Sequence, residues 1–316
     1  MSLNHQHFQS CLRGAVRTSG VLLSNAFAER HLAVTIRSLI CFVIVSAFIN
    51  PTLAQTWDGG GADNQWGTAT NWSTDVVPTS GSAVGIDGTT RTTINLEAGK
   101  TVSTLTFSNS AGTFTFTNNA LTINTGLTNL STTNLQTFNN NLTFGGANTW
   151  FDAGGGMTFL GTLTGGGNTW TVGGPGTFTM RGNASGLATT YVRNGANLVF
   201  TNANFTLNAG NQLYLDGTNA TMRLMGTSTG TMSGAYIQVG QASGASNNTF
   251  IVSGTGAKWS GTHGLRIGEA TAANGNTVIV SNNGVFDAGL SDWIYVGNNS
   301  SNNPLYIMDG GKMTNG

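Results

Sequence analysis

Few residues in this sequence carry side chains that reactions need, and their spacing decides what they could do. Beyond residue 54 the only histidine is His263, in the turn Ser260-Gly261-Thr262-His263-Gly264. A nucleophilic triad sets a Ser or Cys beside a His and an acid, and a solitary turn histidine reads as solvated. The acids that could serve sugar chemistry are Asp216, Asp287, Asp292 and Asp309. Glycoside cleavage wants two carboxylates a few ångströms apart; a lyase wants acids holding Ca²⁺ beside an Arg or Lys. Asp287 and Asp292 fall together in the turn Phe286 to Trp293, whereas Asp216 stands alone and Asp287 and Asp309 are 22 residues apart. Turn acids of this kind more simply cap backbone N–H groups. The expectation is no catalytic residue, no metal and no cofactor, and thus no enzyme. A carbohydrate-active enzyme, lyase or glycosidase, is the alternative.

Binding chemistry has one sharper candidate. Trp57, Trp66 and Trp72 fall within sixteen residues, with Asp58 and Asp63 beside them and Gly59-Gly60-Gly61 between the first two. One reading is an aromatic platform for sugar rings, with Trp57, Trp66, Trp72 and Asp58 in contact with a glycan. The other is an N-terminal cap, since the end of a repeat array needs an atypical unit to cover its first turn. Gly59 to Asp63 has the composition of a calcium nonapeptide without its repeated register, so no metal is expected there.

These residues must be positioned by a chain of unusual composition. It has 316 residues, 46 of them Gly, and only 8% are charged, against about 7% Gly and about 25% charged in an average domain. Residues Leu39 to Ile49 form a short apolar run, preceded by Arg30 and Arg37 and followed by Thr52-Leu53-Ala54. It is shorter than the ~20 residues of a membrane span, and the arrangement is that of a secretory signal. Cleavage is expected after Ala54, with translation starting near Val34. Cys11 and Cys41 both leave with the signal, so stability must come from the core rather than from disulfides. Beyond residue 54 there are eight Lys plus Arg and eleven Asp plus Glu, scattered singly. Without a basic patch, nucleic acid is not an expected partner.

The elements are strands. Val102 to Phe107, Thr113 to Thr117, Leu121 to Ile123, Leu142 to Phe144 and Thr177 to Met180 alternate apolar with polar residues, the period-2 signal of a half-buried strand. Three segments then align. Tyr236-Ile237-Gln238-Val239-Gly240 precedes Asn248 and a second strand, Leu265-Arg266-Ile267-Gly268 precedes Asn276 and another, and Ile294-Tyr295-Val296-Gly297 precedes Asn303 and a third. Gly240, Gly268 and Gly297 recur at about 28 residues, inside the range of solenoid units. Strand pairs too small to bury their own apolar face would stack on a shared core. Gly suits the corners, and Asn suits both corners and hydrogen-bonded ladders. A β-sandwich would repeat at 8–12 residues.

A resemblance enters at Thr56-Trp57-Asp58-Gly59-Gly60-Gly61, Asn64-Gln65-Trp66, Asn71-Trp72 and Val77-Pro78. This opening resembles that of exported bacterial proteins carrying autotransporter-associated β-strand repeats. Gly174 to Met180 followed by Tyr191 to Phe200 is similar to one copy of that repeat, although Ala184-Ser185-Gly186-Leu187-Ala188 replaces its usual aromatic and Gly-Gly turn. The resemblance implies a right-handed parallel β-helix displayed outside the cell and no catalytic residues. The expected organisation is a signal peptide over 1–54, an N-terminal Trp-rich cap over 55–95, and all-β solenoid repeats over 96–316, clearest over 235–316. The chain stops one strand into its last repeat and reads as a fragment of a longer autotransporter-like protein. The expected role is a structural or adhesive scaffold, extracellular or at the outer surface. Its expected partners are glycans, matrix components or further copies of itself, met through Trp150, Trp170, Trp259 and a Thr/Asn-rich face.

Overall fold

The computed structural model describes residues 55–261, 263–289 and 293–314; the expected signal segment lies outside them. The described chain is all-β, apart from one short 3₁₀ turn at Ala69–Asn71. Ten strands form one sheet and nineteen the other, and the strand pairings are parallel throughout. This is a parallel β-solenoid. Each full rung gives one strand to the ten-stranded sheet and two to the nineteen-stranded sheet, here called its first and second columns. In the early strands Lys100–Phe107 and Leu121–Asn129 both columns run as one, with a register shift between Val102 and Thr104. Later rungs split them, as in Leu142–Phe144 and Asn148–Asp152.

Stacking turns the period-2 pattern into a core. One inward column of the ten-stranded sheet reads Ile94, Phe116, Phe138, Phe159, Met180, Phe200, Leu224, Val252, Val280 and Ile307 in direct register. All are buried except the terminal Ile307. Phe116, Phe138 and Phe159 stack with centroids 5.1 Å apart at each step, close to the ~4.8 Å strand spacing. No rung could bury these rings alone, so the stack and the core are one structure.

The same column measures the rungs. Its successive residues are 22, 22, 21, 21, 20, 24, 28, 28 and 27 positions apart. The expected spacing of about 28 thus holds for the last rungs, and the earlier ones are shorter. The step from 20 to 24 sits mainly between the two columns, where two residues (188–189) become five (208–212), whereas the step from 24 to 28 sits at one corner, between the second column and the ten-stranded sheet. Three residues (194–196) turn this corner after Thr190–Arg193, four (217–220) after Leu213–Asp216, and nine (240–248) after Ile237–Val239. Corner conformation accounts for part of the Asn content. Of the twelve non-glycine residues with positive φ among those described, eight are Asn, the side chain that best tolerates that region after Gly.

Longer corners must satisfy more backbone, and a ladder of buried Asn does so. Asn248 Nδ2 donates to Asn276 Oδ1 at 2.8 Å, and Asn276 Nδ2 to Asn303 Oδ1 at 3.3 Å. The backbone N–H groups of Ala220, Asn248 and Asn276 donate to the Oδ1 atoms of Asn248, Asn276 and Asn303 at 2.9, 3.1 and 2.9 Å. Gly240 and Gly268 face the ladder so closely that a Cβ on either would fall 2.1 or 2.2 Å from the Nδ2 of Asn276 or Asn303.

Candidate functional site

The three early tryptophans are core residues. Trp57, Trp66 and Trp72 are 0, 2 and 1% exposed. Gln55–Trp57 pairs in parallel with Ser82–Ile86, which sets Trp57 beside Ile86. The indoles meet edge to face at 5.4 and 4.7 Å, and Trp72 Nε1 donates to the Trp66 carbonyl at 2.8 Å. Their ring faces are covered by one another, so they offer no platform to a sugar. Asp58 is exposed, but its Oδ1 accepts from the Gly60 N–H in its own turn. Asp63 is held below the usual carboxylate range, first by the Gln65 N–H and then by the Thr68 hydroxyl.

The expectation of exposed Trp150, Trp170 and Trp259 is corrected likewise: all three are buried. Within Asn148–Asp152 alternation turns Trp150 inward onto Phe159 and Trp170, at 4.8 and 5.0 Å, and turns Phe151 outward. Trp259 packs against Phe250 at 5.5 Å.

Among the described residues, stacking does not gather the acids. Asp287 lies in the first column, with Ser260 and Thr314 as its rung neighbours, and its Oδ2 is 3.9 Å from Lys258 Nζ. Asp216 ends a second-column strand. Asp309 is exposed in a turn at φ 50°, and Asp292 lies outside the described residues. Among the described residues no three His, Cys, Asp or Glu side chains come together. None of their helices is long and apolar enough to cross a membrane.

The outer face of the second column carries a different constellation. In rung order its middle outward positions are Thr149, Thr171, Tyr191, Tyr214, Gln238, Arg266 and Tyr295. Polar Thr gives way to a continuous aromatic, amide and guanidinium stripe. Tyr191 and Tyr214 stack at 5.0 Å and 10°. Arg193 lies 4.0 Å from the Tyr191 ring centre and pairs with Asp216 at 3.1 Å. Asp216 is 7% exposed and also accepts the N–H groups of Gly217 and Ala242, so its charge is met on all sides. Tyr214 hydroxyl donates to Gln212 Oε1, and Gln238 Nε2 reaches the same oxygen at 2.6 Å. One rung on, Arg266 sits 3.9 Å over Tyr236, 5.7 Å from Tyr295, and bonds Glu269 at 2.5 Å.

Electrostatics follow from that packing. Burial, and then the neighbouring Tyr191, push the Tyr214 phenol above its ordinary value. For Arg266 burial opposes the charge, but the Glu269 carboxylate outweighs it and holds the guanidinium more firmly protonated. Four side chains here keep a buried polar atom without a partner: Gln238 Oε1, Glu269 Oε2, Arg193 Nε and Arg266 Nε. Native proteins rarely concentrate such atoms. The patch offers donors and acceptors in balance.

The sequence expectations do not include this patch. Gln238, Arg266 and Tyr295 were the middle residues of the three repeated strands, where alternation requires an outward side chain. A polar or aromatic residue there in successive rungs was the available signal. No family model, no curated protein and no solved structure matches the chain. What the fold and its surface define is a class, the parallel β-solenoid with one elaborated lateral face.

Proposed function

We propose that the chain is an exported structural and adhesive scaffold, a passenger-like β-solenoid that works outside the cell or on its outer surface. The observation that carries this reading is where the polar side chains are used. Asn248, Asn276 and Asn303 bond rung to rung, and so do Asn204 and Thr229, whose hydroxyl donates at 2.6 Å. A fold whose polar groups hold its own turns together is suited to extension and cohesion. The apolar run before Ala54 supports export, and weak repeated contacts along a rigid rod would add up by multivalency.

The test is immunolabelling of intact cells with and without added protease, beside a cytoplasmic control protein. Label on intact cells or in the medium, lost on proteolysis, supports the proposal; strictly intracellular protein overturns it. Release of new chain ends from a polysaccharide panel by the purified protein would establish the carbohydrate-active alternative.

A further inference from the structure

We propose that the Tyr214–Gln238–Arg266 patch is a binding site for a neutral polysaccharide, an uncharged hexose polymer laid along the solenoid axis. The proposal rests on the adhesive reading above and supplies its ligand class and site.

Three observations converge. Gln238 stands at an outward position, yet it is 4% exposed and its Oε1 has no donor. It lies in register between Tyr214 and Arg266. A buried, unmatched acceptor in a wall of aromatic and charged side chains is a built feature rather than a solvated surface.

Charge then selects the ligand. Arg193 is paired with Asp216 and Arg266 with Glu269, so the patch is neutral overall. An anionic polymer would meet the Glu269 carboxylate and a cationic one two guanidinium groups. Sugar hydroxyls both donate and accept, which suits a surface where the partly exposed Arg193, Arg266 and Glu269 side chains flank the buried, unmatched Gln238 Oε1.

Geometry sets the direction. From Tyr191 to Tyr295 the patch crosses four rung spacings, about 19 Å at ~4.8 Å each, room for several sugars in a row. Tyr191 and Tyr214 cover one another's faces, so they present ring edges. At the far end Trp293 and Tyr295 are 71 and 40% exposed, and aromatic faces there would stack on a sugar ring.

The test titrates the purified full chain with cellohexaose, mannohexaose and chitohexaose, and with hexagalacturonate as the acidic comparison. At least one neutral hexaose is expected to bind, and Gln238→Leu and Arg266→Met each to weaken it about tenfold. Thr143→Ala, in the first column, should leave it unchanged. Melting curves check that the variants are folded, and Tyr295→Ala gives an independent probe at the exposed end. Failure to bind any neutral hexaose, preference for hexagalacturonate, or binding unaltered in all three patch variants overturns the proposal. Cells whose displayed protein still adheres through these variants would refute this site while leaving the scaffold reading intact; absence of surface display would refute the reading itself.

Discussion

Asn276 Oδ1 accepts two hydrogen bonds from Asn248, one from the side-chain Nδ2 at 2.8 Å and one from the backbone N–H at 3.1 Å. Asn276 Nδ2 in turn donates to the carbonyls of Ala245 and Ala273 at 2.9 and 2.7 Å. One fully buried carboxamide therefore serves three successive rungs. Asn276→Ala would leave several buried groups unpaired, at about 1–3 kcal/mol each, so a loss of about 3 kcal/mol or more is expected in urea unfolding. Asn299→Ala, at an exposed position, should stay within about 0.5 kcal/mol.

Gly230 and Trp259 are rung neighbours in the first column, and a Cβ on Gly230 would lie 2.3 Å from Trp259 Cε3. Gly230→Ala should therefore cost about 1–3 kcal/mol by overpacking. Trp259→Leu is destabilising alone but opens that space. The double variant is expected to be more stable than the sum of the two single losses by about 0.5–3 kcal/mol. Strict additivity in the unfolding cycle would count against this contact.

Asp87 Oδ1 accepts from the hydroxyls of Ser108 and Ser110 at 2.5 and 2.7 Å and from the Gly88 N–H at 2.7 Å. The Ser108 bond first, and then the Ser110 bond, hold its carboxyl below the ordinary aspartate value of 3.8. Because the folded value is depressed, the stabilisation is present above 3.8 and is lost as pH falls through the folded value. Asp87→Ala should melt lower than the wild type at pH 7, and the gap should close below pH 3.8. A gap that widens on acidification would contradict the assignment.

Trp72→Ala removes a buried indole that packs on both Trp57 and Trp66. A loss of about 3–5 kcal/mol is expected, with oligosaccharide affinity unchanged under conditions where the variant is folded. A selective loss of affinity without loss of stability would restore the aromatic-platform reading of these residues.

How much of this could be read in advance differs from rung to rung. The 28-residue period was visible over Tyr236 to Met308 because each corner there ends in an Asn of the ladder, a chemical marker at fixed phase. Between Gln136 and Phe200 the corners are shorter and the period falls to 20 or 21, so the same search finds no partner at 28. Strand assignment was easy where Thr alternates with Phe, as in Thr177–Met180. It failed at Trp150-Phe151, where two adjacent aromatics compete for the inward position and the expectation put Trp150 outside. Nothing in local composition says that Trp150 takes it; the register with Val172 in the next rung decides. Gln238 and Arg266 looked like ordinary polar residues on a strand, because their partners Gln212 and Glu269 become neighbours only through the stack and the corner.

The rung-by-rung register also governs how such a rod would carry load. Pulled from its ends, a parallel solenoid has no bond that spans more than neighbouring turns, so it would fracture at one interface and peel turn by turn. Each detached rung of 20 to 28 residues would release about 70 to 100 Å of extended chain. The early, short rungs would give small length steps and the Asn-laddered rungs large ones. The resulting force trace would be graded along the molecule, with the corner lengths written into it.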